Sequence, residues 1–113
     1  MLPSENEVVE FVDREGLSPF GRWFDDLDAV AAVKVGVALV RLEQGNTSNV
    51  KSVGGGVFET KIDFGPGYRV YFGKDGERII ILLGGGTKKR QDRDIANAKL
   101  AWSEYKAMKK ELR

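Results

Sequence analysis

The chain of 113 residues has no cysteine and no histidine. The first absence excludes a disulfide framework and a thiolate metal site. The second removes the commonest general base, so any proton transfer must fall to Lys, Arg, Tyr, Asp or Glu. It also deprives a zinc centre of its usual ligands. No metal and no cofactor is expected. Long apolar runs are missing too, and nothing approaches the roughly 20 residues that span a bilayer. The stretch from Met1 to Glu15 is acidic and has no apolar core of the kind a secretory signal needs. The expectation is a soluble, cytoplasmic protein with no membrane partner. The triplet Asn46-Thr47-Ser48 matches a glycosylation acceptor and, without secretion, reads as coincidence.

Hydrophobic residues make up 42% of the chain, enough for a core and too many for a disordered segment. The length fits one compact domain spanning residues 1–113. The net charge is only +1, but it is unevenly spread. Residues 1–28 hold eight acidic and two basic side chains, and residues 87–113 hold nine basic and four acidic ones. A basic end suits a polyanion contact. From charge alone the plainer reading, a solvated lysine-rich helix, is favoured.

Local patterns give a coarse architecture. Glu7–Val12 reads as a short edge strand. Ser18-Pro19 is a helix start, because serine caps free backbone N–H groups and proline suits the first helical position. That helix runs to about Leu27, with Phe20, Trp23, Phe24 and Leu27 on one face. Asp28 caps a second helix to about Gln44, whose stripe is Val30, Val33, Val37 and Val40, widened by Leu39 and Leu42. Gly45-Asn46 ends it. Val57–Ile62 and Tyr68–Phe72 alternate as strands, with Tyr68, Val70 and Phe72 facing one way and Arg69 and Tyr71 the other. Asp75-Gly76 is a hairpin signal. Arg78–Leu83 reads as a strand covered on both faces, which Gly84-Gly85-Gly86 should break. A helix follows from about Lys89, with Ile95, Ala98, Leu100 to Trp102, Tyr105 and Met108 as its apolar contacts. The expected class is α+β: a small antiparallel sheet packed by two N-terminal helices and a C-terminal helix.

The run from Phe58 to Phe72, centred on Gly65-Pro-Gly-Tyr-Arg-Val-Tyr71, resembles the core hairpin of RelE/HigB-type toxins. It is more closely similar to their phage-derived, Gp49-like branch of addiction-module killer proteins. That branch carries, in order, this segment, a hydrophobic strand, a glycine-rich end, a lysine-rich turn and an Asp-Ile helix. The counterparts here are Gly65–Tyr71, Ile79–Leu83, Gly84–Gly86, Thr87–Arg90 and Asp94-Ile95. The ordered set covers roughly residues 18–105. The resemblance implies a RelE-like fold and the toxin of a type II toxin–antitoxin module. It further implies a metal-independent endoribonuclease that cuts mRNA, usually on the ribosome. In that chemistry a 2′-hydroxyl attacks the adjacent 3′-phosphate and leaves a cyclic phosphate. Expected partners are mRNA, the ribosome and a cognate antitoxin of helix-turn-helix type. The alternative is a catalytically weak or inactive protein that keeps the fold and binds an antitoxin, a repressor complex or RNA. A small RNA-binding domain unconnected with any antitoxin is a third, weaker reading.

The same resemblance assigns roles. Arg69 matches the phosphate-binding arginine, and a guanidinium can grip phosphate oxygens through two donors. Its structural alternative is a solvent-facing strand arginine paired with Asp63 or Glu59. Lys61 matches a basic position on the preceding strand, where it would stabilise charge or take a proton; an ordinary surface lysine is an equal alternative. Glu59 stands where RelE is often basic, and would act as a general base or simply neutralise Lys61. Arg90 falls near the basic residue after the last strand, with Lys88, Lys89 and Arg93 as neighbours able to contact RNA. Cations at a helix start oppose the helix dipole, which favours a functional reason for them. RelE stacks a base on a tyrosine of its final helix, and the matching position here is Ala96. Tyr71 or Tyr68 would have to supply stacking from the sheet. Phe20, Trp23 and Trp102 read as core.

Overall fold

The computed structural model describes residues 5–112. The first four residues, part of the stretch read above as lacking a signal, and residue 113 lie outside them. The chain forms β1 (Glu7–Glu10), α1 (Pro19–Asp25), α2 (Ala29–Glu43), β2 (Val50–Gly54), β3 (Val57–Ile62), β4 (Tyr68–Asp75), β5 (Ile79–Thr87), one 3-10 turn (Lys88–Arg90) and α3 (Gln91–Glu111). The helix starts follow the cap chemistry. Ser18 Oγ accepts the Gly21 N–H at 2.9 Å, and the Asp28 carboxylate accepts the Ala31 N–H at 2.9 Å. Gly45, at φ +79°, ends α2. None of these helices is long and apolar enough to cross a membrane.

The class is α+β, as expected, with the strands in the order β1-β5-β4-β3-β2. Two features depart from the sequence reading. The sheet is mixed rather than wholly antiparallel, because β1 runs parallel to β5, pairing Glu7 with Ile79 and Val9 with Ile81. The chain leaves β1, crosses through α1 and α2 to the far edge, and builds the meander back toward β1, so β1 lies beside the strand formed last. The other departure is β2, an edge strand paired to β3 and not foreseen. Its Val-Lys-Ser-Val-Gly sequence is mostly exposed, and a bulge near Gly54 interrupts its register.

Both sheet faces are covered, which explains the poor alternation of the central strands. Val57, Tyr71, Ile81 and Leu83 pack under α3 with Ala98, Ala101 and Trp102. Ile62, Val70, Phe72, Ile80 and Leu82 pack with Phe20, Val35 and Leu42 from α1 and α2. Phe20, Trp23 and Trp102 are therefore core residues, as read. Burial of α2 departs from the expected stripe at its valines: Ala31 and Val35 face the sheet, with Leu42 and Leu39 as expected. Val30, Val33, Val37 and Val40 point outward, at 58%, 64%, 45% and 49% exposure. Two stripes of helical spacing compete in this helix, and the one with the small Ala31 wins the close contact. Leu100, expected as a contact of α3, is likewise exposed.

Gly84–Gly86 does not break β5, which continues to Thr87. Gly85 and Gly86 serve close packing instead, whereas Gly84 has open space beside it. A Cβ on Gly85 would lie 2.3 Å from the Trp23 ring, and one on Gly86 would strike the Asp94 carboxylate. Trp23 comes from the α1 side and Asp94 from the α3 side, so the bare backbone admits a side chain on each face. Gly73 plays the same part under Trp102.

Candidate functional site

Where the ends of β3, β4 and β5 meet the start of α3, five polar side chains converge. The register sets the strand residues side by side: Glu59 opposes Tyr71, Lys61 opposes Arg69, and Arg69 opposes Gly86. The pleat sends Glu59, Arg69 and Tyr71 to the α3 side. Gly86 offers no side chain, and Asp94 from the first turn of α3 occupies the space.

Arg69 is 5% exposed and Glu59 1%. Arg69 Nε lies 3.4 Å from Glu59 Oε1, so the pairing with Glu59 is formed, but on a buried rather than a solvent-facing arginine. The other carboxylate oxygen accepts from Gln91 Nε2 at 2.9 Å, and Lys51 Nζ stands 3.7 Å from Oε1. Arg69 Nη1 donates to the Gly67 carbonyl at 3.2 Å, which also accepts the Lys88 N–H at 3.1 Å. One carbonyl of the Gly-Pro-Gly turn thus ties the arginine to the 3-10 turn that precedes α3. Lys51 sits on β2, a strand outside the sequence reading.

Three buried atoms in this cluster have no hydrogen-bond partner among the described residues: Arg69 Nε, Tyr71 Oη and Asp94 Oδ2. Buried polar groups are normally paired, so these three atoms concentrate unmet hydrogen-bonding capacity at this corner. Burial pushes the Asp94 carboxyl up, against the pull of Arg93 and Arg90. Burial also pushes the Tyr71 hydroxyl above its ordinary range, with Glu59 and Asp94 adding to the shift and Arg69 opposing it.

The remaining residues fall into two groups. Lys61, Lys88, Lys89, Arg90 and Arg93 are exposed, and none of them forms an ion pair within 4 Å among the described residues. Lys88–Arg90 form the 3-10 turn beside the Gly-Pro-Gly connection, so this corner presents cations around a buried guanidinium. Tyr71 is fully buried beneath α3 and presents no ring face to a base. Tyr68 lies on the other side of the sheet, its ring centroid 6.2 Å from that of Trp23. Ala96 is exposed on α3. No aromatic ring named in the sequence as a stacking platform joins the cationic corner. Gln91 and Asp94 were missed as site residues. Asp94 carried a signal as half of the Asp-Ile pair, whereas nothing local marks Gln91.

The unpaired Tyr71 hydroxyl has a measurable consequence. Removing a buried, partnerless hydroxyl removes a desolvation cost, so Tyr71→Phe should leave stability unchanged or raise it by about 1 kcal/mol. The sign also fixes a pH window. Tyr71 and Tyr105 both have folded-state values above the ordinary one, Tyr105 at about 12 through burial and its hydrogen bond to Asp75. Their stabilising share is intact below the unfolded tyrosine value of about 10 and is lost as pH rises through the folded values. Urea denaturation at stepped alkaline pH should show the decline, and Tyr71→Phe should make it shallower. An equal decline in the variant would contradict the assignment.

The fold and this corner define a class: a small α+β domain with a buried Arg–Glu pair under the start of its last helix, ringed by unpaired cations. The family described as phage-derived protein Gp49-like matches residues 22–106. The chain belongs to that family. A protein of Haemophilus influenzae, described only as uncharacterized, is 44% identical over 82 residues, covering 72% of this chain and 83% of its own length. The matched region takes in α2, the whole meander and most of α3.

Proposed function

We propose that the protein is the toxin of a type II toxin–antitoxin module, of RelE/HigB type, and cleaves mRNA without a metal on the translating ribosome. The observation that carries this reading is the register pair Lys61–Arg69 beside the unpaired cations of Lys88–Arg90. Transesterification at phosphorus needs positive charge against the developing dianion and a group to move a proton. Arg69 and Arg90 serve the phosphate in this proposal, with Lys88, Lys89 and Arg93 along the RNA backbone. Glu59 takes the 2′-hydroxyl proton as O2′ bonds to phosphorus and the P–O5′ bond breaks, and Lys61 offsets the charge there and gives a proton to the departing 5′-oxygen. Membership of the phage-derived family supports a toxin-like protein and, with it, an antitoxin as partner. A helix-turn-helix antitoxin is the form we propose.

A second reading has its own support. Arg69 is held by Glu59 and the Gly67 carbonyl, and no exposed aromatic replaces the stacking group absent at Ala96. A protein so built would bind an antitoxin or RNA and cut poorly or not at all. Expression in a bacterial host separates the two. The first reading expects growth arrest and cleaved mRNA, relieved by Lys61→Ala at a cost of about tenfold or more in cleavage rate. Unimpaired growth with intact mRNA in the wild type would leave only the second.

A further inference from the structure

We propose that the outer face of α2 is a docking seam for an amphipathic helix of a partner protein, whose apolar stripe is edged by Asp and Glu. The inference stands apart from the chemistry proposed above. Val30, Val33, Val37 and Val40 are separated by three, four and three residues, the spacing of two successive heptad seams. All four are exposed, at 58%, 64%, 45% and 49%, although the helix has a different face in the core. The seam is about 15 Å long and straight, the footprint of three helical turns on a facing helix.

The residues flanking the seam say what kind of helix fits. Lys34 and Arg41 each follow a seam valine by one position and so lie along one edge. Neither forms an ion pair among the described residues. Lys34 Nζ rests 5.3 Å from the centre of the Phe64 ring, at the lip of a groove that Val33, Val37 and Arg41 also line. The opposite edge carries Ala29 and Gly36, small enough for a neighbouring backbone to approach. A second copy of this chain is a poor occupant. Paired antiparallel, Lys34 of one copy would face Lys34 of the other. Paired parallel, Lys34 and Arg41 would meet Ala29 and Gly36 and gain nothing. Acidic residues along the edge of a different helix satisfy both cations.

Two synthetic three-heptad peptides test this, with Leu and Ile at the seam positions and either Glu or Lys at every flanking position. Fluorescence anisotropy with the full chain should show the Glu peptide binding more tightly by about fivefold, the scale of two exposed ion pairs. Amide shift changes should centre on α2. Val33→Glu/Val37→Glu, at two solvent-facing positions, should abolish binding. Lys34→Glu/Arg41→Glu should reverse the preference toward the Lys peptide, which a merely sticky surface would not do. No binding of the Glu peptide, equal binding of both peptides, or an unreversed preference would each overturn the proposal. So would a dimer of the protein alone that Val33→Glu/Val37→Glu dissociates, since the seam would then belong to a second copy.

Discussion

Replacing Arg69 by alanine is expected to lower RNA cleavage by about a hundredfold or more, the scale of losing one preorganised charge donor. The same change should destabilise the fold by roughly 3 kcal/mol, because it strands a buried carboxylate. Glu59 is 1% exposed, and without Arg69 it would keep only Gln91 and the more distant Lys51. Loss of activity in the single variant would therefore be ambiguous between chemistry and folding. Arg69→Ala/Glu59→Gln, set beside Glu59→Gln alone, resolves it. The neutral amide no longer needs a counter-ion, so most of the stability should return in urea denaturation while cleavage stays lost. If the double variant cuts RNA as well as the wild type, Arg69 has no part in the chemistry. The stability arm keeps its meaning even for a protein that does not cut at all.

Gly73→Ala is expected to be among the most damaging single-methyl changes in the sheet. An alanine Cβ there would lie 2.5 Å from the Trp102 ring, well inside any real contact. The ring cannot readily retreat. Trp102 is stacked on Tyr105 with centroids 5.3 Å apart and planes 5° from parallel, and Lys106 Nζ lies over it at 5.7 Å. Tyr105 is in turn hydrogen-bonded to Asp75, which Lys109 also grips. Overpacking of this kind costs roughly 3 kcal/mol. Trp102→Leu alone should also destabilise, by leaving a cavity over Gly73. Combined with Gly73→Ala it should cost less than the sum of the two, with a coupling of about 1–3 kcal/mol. Strict additivity would mean that the ring does not set the size limit at Gly73.

Much of this was legible because the signals were local. Ser18-Pro19 and Asp28 announce helix starts through chemistry that needs no distant partner. Asp75-Gly76 fixes a hairpin in the same way, and Val57–Ile62 was bounded by glycines. Packing that joins distant parts of the chain was not legible. The valines of α2 and the buried set of Ala31, Val35 and Leu42 share one periodicity, and only the sheet beneath decides between them. Gly84–Gly86 looks like a terminator in sequence, yet β5 needs bare backbone at Gly85 and Gly86 because Trp23 and Asp94 arrive from opposite sides. The site divides along the same line. Arg69, Lys61 and Glu59 were named together, from a resemblance and an alternation. That Arg69 and Glu59 are buried and paired depends on α3 closing over them. Gln91, one turn before Asp94, was invisible because a single amide has meaning only beside the carboxylate it meets.

The parallel pairing of β1 with β5 sets an order of events during folding. Residues that meet in that pair are about seventy positions apart, so their contact closes a long loop, whose entropy favours its forming late. The β3–β4–β5 meander is joined by short turns and can assemble first. In the interval, the strand Ile79–Leu83 has an open edge with no partner. An apolar run with free backbone groups is a template for another chain. A refolding chain is therefore expected to be most prone to aggregate before β1 docks, with the four residues Glu7–Glu10 covering that edge in the folded state.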